Sequence, residues 1–287
     1  MSNSLVNNFT WQLGDTGFVL NDDDITGAFV DITDVKGFDS APARQTKRDH
    51  EGADGGFMDA EFETGRDISL AGTVFFNGES VQDTLDALKA NWAVSADLIP
   101  LYYIADGVAR FLSVKPLGCV YDLDVGIRVG MTPITFSAYA EDPRIYTDSL
   151  AAVPFSIGAI IYTGFAFNLG FPFGFGGFSD TSDGAFVTNG GNRSTPTRMY
   201  IYGPVTNPVI YNDTVNKQMG FTCTLVTGDV LVVDTQYRTV TLNGSANRRS
   251  FLTLPGWFDL EPGDNFIRFR AEAGTGSLAL QYREAWR

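Results

Sequence analysis

The single histidine of this 287-residue chain, His50, lies in the run Arg48-Asp49-His50-Glu51-Gly52, and any Ser-His-Asp or Cys-His mechanism would have to pass through it. Its surroundings, residues 41–56, are polar and Gly-containing, hold Arg44, Lys47 and Arg48, and show no apolar period. That pattern predicts an exposed loop, a poor setting for a general base, which needs fixed geometry. Catalytic zinc takes two or three histidines, so one histidine excludes it. The acidic run Asn21-Asp22-Asp23-Asp24 resembles the start of a calcium loop. However, Ile25 takes the third ligand position and no Glu closes the loop, so a solvated turn is the reading.

Asp59, Glu61 and Glu63 alternate with Met58, Ala60 and Phe62, which places three carboxylates on one strand face. Glycoside hydrolysis needs two carboxylates about 5 to 9.5 Å apart, a spacing such a face allows. The polar face of an antiparallel strand gives the same pattern, and no enzyme is assigned. Gly274-Thr275-Gly276-Ser277-Leu278-Ala279 fits a dinucleotide-binding fingerprint only formally, because a strand pattern follows where a helix is required. Trp257, Tyr282 and Trp286 could stack on sugar rings, with Trp257 and Trp286 the candidate carbohydrate contacts. Tyr282 also alternates with Leu278 and Leu280, the pattern of a core-facing strand. No cofactor and no metal site is expected. Cys119 and Cys223, 104 positions apart, give neither a zinc motif nor a disulfide framework.

The elements that must hold these residues are mostly strands. Residues 17–35 predict a hairpin around the Asn-Asp-Asp-Asp turn. Residues 57–76 predict two strands joined at Gly65. In residues 80–92, Val81, Leu85, Leu88 and Trp92 recur at steps of four, three and four, the stripe of an amphipathic helix with Ser80 as N-cap and Asp83 in its first turn. Asp106-Gly107 predicts a tight type I′ hairpin, since both positions must reach positive φ. Asp142-Pro143-Arg144 ends regular pairing. Residues 1–149 are therefore expected to form an α+β domain. Residues 150–197 form a Phe/Gly-rich linker with Phe171, Phe173 and Phe175 at its centre. Residues 198–287 form an all-β sandwich of eight strands, with turns at Asn243-Gly244 and Pro262-Gly263-Asp264-Asn265. Packing of the Phe tract on its own domain and packing against a neighbouring subunit both stay open; Phe171, Phe173 and Phe175 are the subunit-interface candidates.

Composition sets the remaining limits. The chain carries 20 Lys and Arg against 34 Asp and Glu, a net charge of −14, which opposes gripping a phosphate backbone. No run of 18 apolar residues occurs, and MSNSLVNNFT lacks the basic and apolar regions of a signal peptide, so neither membrane insertion nor export is expected.

The order of motifs resembles that of the distal tail proteins of phages with long, non-contractile tails, the siphovirus-type tail components. In the first half the resemblance rests on Gly65 to Val74, the helix after it, and Asp142-Pro143-Arg144-Ile145-Tyr146. In the second half it rests on Gly203 to Pro208, Gly228 to Thr235, Arg238 to Gly244, Pro262 to Asn265 and Tyr282 to Trp286. The resemblance implies a tail-tube-like, ring-forming N-terminal domain and a galectin-like or carbohydrate-module-like, jelly-roll sandwich at the C-terminus. It further implies a homohexamer at the tail tip of the virion. That ring would join the tail-tube protein to the tail hub, a tail-associated lysin-like protein, and possibly to the tape measure protein and fibres. Six chains would bring 6 × (−14) = −84 formal charges, so DNA would pass an acidic lumen without specific binding. A carbohydrate-binding adhesion module of a virion or cell surface is the alternative.

Overall fold

The computed structural model describes residues 9–15, 17–22, 26–44, 47–58, 62–123, 125–157 and 184–287. By its contacts the chain divides into two units, Met1–Asp148 with Trp286–Arg287, and Ser149–Ala285.

The first unit is a strand path in the order Val19–Leu20, Trp11–Leu13, Ile99–Ala105, Val108–Tyr121, Met131–Ala140, Arg66–Phe75, Phe29–Lys36. Alternation writes the core directly: along Arg66–Phe75, residues Arg66, Ile68, Leu70, Gly72 and Val74 point inward. The two strands expected to form a hairpin before Lys36 lie instead at opposite ends of this path, Val19–Leu20 paired with the preceding Trp11–Leu13 and Phe29–Lys36 with the distant Arg66–Phe75. Asn21, at φ 58°, bridges them: its N–H donates to the Val30 carbonyl at 2.8 Å, and its side-chain oxygen accepts from the Ile32 N–H. The path therefore bends back on itself around Leu20, Val30, Leu70, Leu101, Leu112 and Phe136.

The helix spans Val81–Asn91 and is capped by Ser80, whose Oγ accepts from the Asp83 N–H at 3.4 Å. It buries Leu85 and Leu88, and Trp92 follows with its ring 4.8 Å from Phe136. Asp106 and Gly107 both have positive φ, 52° and 74°, and close Ile99–Ala105 onto Val108–Tyr121.

Residues 41–56 are not a plain loop. Ala43 pairs with Glu63 and Arg44 with Phe62, then Lys47 with Met58, Arg48 with Phe57 and Asp49 with Gly56. The two ladders are nested, Ala43–Arg44 with Phe62–Glu63 outside and Lys47–Asp49 with Gly56–Met58 inside, and together they form an antiparallel arm with its turn at 50–55. At its root Arg66, only 1% exposed, donates to the carbonyl of Asp39 at 2.6 Å and of Gly37 at 3.3 Å.

The second unit is a sandwich. One antiparallel sheet runs Ala151–Ser156, Ser277–Tyr282, Thr197–Tyr202, Val230–Asp234, Thr239–Leu242, Ala246–Asn247. The other runs Gly184–Asn189, Gly263–Arg270, Val209–Asn212, Lys217–Phe221, Leu252–Pro255. Both contribute to a single core, with Met199, Leu231 and Leu280 from the first and Ile210, Phe221 and Phe269 from the second. The chain is thus mainly β with one α-helix among the described residues. The described ends of the segment expected as a linker are strands here: Ala151–Ser156 pairs with Ser277–Tyr282, and Gly184–Asn189 with Gly263–Arg270. Their inward side chains, Phe155 and Val187, fill the sandwich core. Phe171, Phe173 and Phe175 lie outside the described residues.

Candidate functional site

The residues singled out for chemistry do not converge. His50 packs its ring 4.0 Å from that of Phe57 near the tip of the arm. Asp59 and Glu61 lie outside the described residues. Glu63 is engaged by Arg287, Nε to Oε1 at 3.5 Å. Gly274, at φ 114°, brings its backbone so close to Pro204 that a Cβ would collide with the Pro204 carbonyl, and a strand follows it. That glycine serves close backbone packing, not a phosphate. Among the described residues no group of three His, Cys, Asp or Glu side chains is placed to hold a metal ion. No described helix is long and apolar enough to cross a membrane. Burial pushes both cysteine thiols up, so neither is an activated nucleophile.

The three aromatic candidates for sugar stacking are occupied. Tyr282 is 8% exposed and its hydroxyl donates to the Thr188 carbonyl at 2.8 Å. Trp257 packs against the sandwich core, and the guanidinium of Arg249 lies 4.5 Å from its ring centroid. Trp286 belongs to the first unit, where it packs on the core beneath Arg110 at 4.1 Å. A ring covered by a guanidinium on one side and core on the other offers no flat face to a sugar.

What the surface does present is contact area. In the first unit, Leu117, Val120, Leu123, Val125, Val129 and Met131 are all exposed within fifteen residues, with Leu123, Val125 and Val129 at 70% or more. They sit where Val108–Tyr121 turns through a 3₁₀ segment, Val125–Val129, into Met131–Ala140. Alternation accounts for Val120, which faces out while Cys119 and Tyr121 contact the core. The arm adds Phe57, Met58 and Phe62, each more than half exposed. Exposed aliphatic and aromatic side chains gathered in this way mark surfaces that bury themselves against protein.

Charge is unequally shared. Residues 1–148 hold 24 Asp and Glu against 10 Lys and Arg, a balance of −14, whereas residues 149–287 hold 10 of each. The whole net charge therefore belongs to the first segment, a distribution that total composition conceals.

The first unit is thus acidic and strand-built with exposed apolar side chains, and a sandwich follows it. Residues 190–286 match the family model described as siphovirus-type tail component, C-terminal domain. Over the full length the fold is similar to the crystal structure of the Dit protein of phage SPP1, described as a paradigm of the hub adsorption apparatus in phages that infect Gram-positive bacteria. Identity is 15%, TM-score 0.66, and the match covers 98% of this chain and 100% of that one. It is similar also to a chain of the phage P2 baseplate in its activated conformation with Ca, at 12% identity and TM-score 0.53 over 96% and 97% of the two chains. The strontium form of that baseplate gives 11% and 0.51 over 96% and 98%. No curated protein matches the chain. The resemblance read from the sequence is thus supported by family in the C-terminal segment and by fold throughout.

Proposed function

We propose that this chain is a distal tail protein: six copies close a ring at the tip of the tail, joining the tail tube to the hub and to fibres. The observation that carries the proposal is the match of the whole chain to the fold of the SPP1 Dit protein, together with the tail-component family model over residues 190–286. In this reading the first unit forms the ring. Its exposed Leu123, Val125 and Val129 supply apolar contact between copies, and the arm, with Arg44 and Arg48 on its outgoing strands and Phe57, Met58 and Phe62 on its returning ones, reaches a neighbour whose first segment is acidic. Because that segment holds all of the net charge, the lumen of such a ring would be negative and would repel rather than retain passing DNA. The role is structural, with no turnover.

Light scattering combined with negative-stain imaging tests this directly. The expected particle has a central hole and a mass near 6 × 31.2 = 187 kDa. A chain that remains a 31.2 kDa monomer even when mixed with its own tube and hub proteins would overturn the ring.

A further inference from the structure

Between Thr235 and Trp257 the chain contains three arginines and no Asp or Glu. The hairpin Thr239–Leu242 with Ala246–Asn247 brings those arginines to one end of the sandwich. Arg248 donates its backbone N–H to the Val240 carbonyl at 2.8 Å, and Arg249 donates from its guanidinium to the carbonyl of Arg238. Among the described residues none of the three guanidiniums meets a carboxylate. Two of them lie on rings, Arg249 over Trp257 at 4.5 Å and Arg248 over Phe251 at 5.7 Å, and Arg238 is exposed. Tyr237, 60% exposed, completes the patch. Arg198, by contrast, is neutralised by two hydrogen bonds to Asp234, at 2.8 and 3.2 Å.

We propose that Arg238, Arg248 and Arg249 form a docking surface for an acidic protein segment, one that offers carboxylates to the guanidiniums and apolar groups to Tyr237. Each stacked guanidinium gives one nitrogen to a backbone carbonyl, Arg248 to Asn247 and Arg249 to Arg238; the remaining N–H groups stay available to a carboxylate, and much rotamer freedom is already lost, so little ordering cost remains on binding. Arginine beside Tyr and Trp is also the composition of interface hot spots. Three cations without local counter-charges, in a chain of net −14, are matched by a partner that brings its own. Tyr237 and the rings beside the arginines favour a protein segment, which brings apolar groups, over a phosphate polymer, which has none, and a chain of net charge −14 opposes a long polyanion more than a short segment. This surface lies outside the ring reading and stands or falls without it.

The test uses the full chain and a short polyglutamate peptide as probe, followed by the emission of Trp257 and by calorimetry, with polyphosphate of equal charge in a parallel titration. The expected result is saturable peptide binding that weakens with salt and falls at least about tenfold in the R238Q/R248Q/R249Q variant. A control that removes three cations elsewhere, K36Q/K89Q/K217Q, should bind as the wild type does. R238Q alone, at an exposed side chain without a partner ring among the described residues, should weaken binding while leaving the thermal unfolding midpoint unchanged. Absence of saturable peptide binding, an equal loss in the control variant, or tighter binding of polyphosphate would each overturn the proposal.

Discussion

The phenol of Tyr146 donates to Asp142 Oδ2 at 2.7 Å, while the other carboxylate oxygen accepts from the backbone N–H of Arg144 at 3.1 Å. The run Asp142-Pro143-Arg144-Ile145-Tyr146 is thereby a closed local structure at the end of the first unit's strands. Tyr146 is 7% exposed, and burial pushes its phenol well above the ordinary tyrosine range, with the nearby Asp142 charge adding to the rise. Above about pH 10 the unfolded chain loses this proton and the folded chain keeps it, so stability falls as pH rises, by about 1.4 kcal/mol per pH unit for this group. Denaturant unfolding from roughly pH 9 to 11 should show that limb. Tyr146→Phe should flatten it and cost about 1 kcal/mol near neutrality through the lost hydrogen bond.

Trp286 closes over the first unit's core with Arg110 stacked on it. Trp286→Ala should cost about 2 to 3 kcal/mol, less than a fully buried tryptophan because the ring is only partly enclosed. Arg110→Ala should cost about 1 kcal/mol. Thermal unfolding checks both, and a tryptophan free to bind sugar would show neither loss.

Gly37 and Gly52 separate two effects of the left-handed backbone. Both have φ near 85°, at 90° and 82°, but a Cβ at Gly37 would run into the Asp67 carbonyl, and at Gly52 it would meet nothing. Gly52→Ala should cost about 1 kcal/mol, the conformational cost alone. Gly37→Ala should cost more than about 2 kcal/mol, because it also forces the arm's root away from the sheet. Equal losses would mean that the arm's root yields freely.

Replacing Leu123, Val125 and Val129 with Ser should leave the monomer's unfolding midpoint nearly unchanged, since all three are largely exposed. The same variant should abolish the proposed ring in light scattering. Replacing Phe171, Phe173 and Phe175 with Ser should weaken assembly in the same assay, if the tract packs on a neighbour. Assembly should also strengthen between about 0.01 and 0.15 M salt, as the Debye length shrinks from roughly 30 to 8 Å and repulsion between acidic first segments is screened. Rings that form equally well at both salt concentrations would count against an acidic lumen.

Features encoded over a few residues were legible in the sequence. The helix Val81–Asn91 carries its own stripe and its own cap, and Asp106-Gly107 states its turn in two positive φ values. The eight-strand rhythm after Arg198 reports the sandwich for the same reason. Features that depend on distant partners were not legible. The first half of the arm, within residues 41–56, is polar and without period, and the described residues of Ala43–Arg44 and Gly56–Met58 are exposed, so no buried face records its register. Val19–Leu20 and Phe29–Lys36 are close in sequence yet pair with different neighbours, a choice made by the sheet as a whole. Trp257 and Trp286 look alike as exposed-ring candidates, and only the arginines placed over them reveal otherwise. The arginine patch was readable in principle as a 23-residue acid-free stretch within an acidic chain. Overall charge, taken as one sum, hid it.

The chain leaves the first unit at Asp148 and returns to it at Trp286. The first unit can therefore not be excised as an uninterrupted piece without loss, whereas the second, Ser149–Ala285, is continuous. A fragment ending at Asp148 lacks the tryptophan that roofs its own core, and a fragment starting at Ser149 carries that tryptophan away from its seat. A single protease nick near Ser149 should consequently leave two pieces that copurify, held by Trp286 and Arg287 in the manner of a non-covalent clasp. Studies of either half are best made with the last two residues supplied to the first unit, by circular permutation or by coexpression.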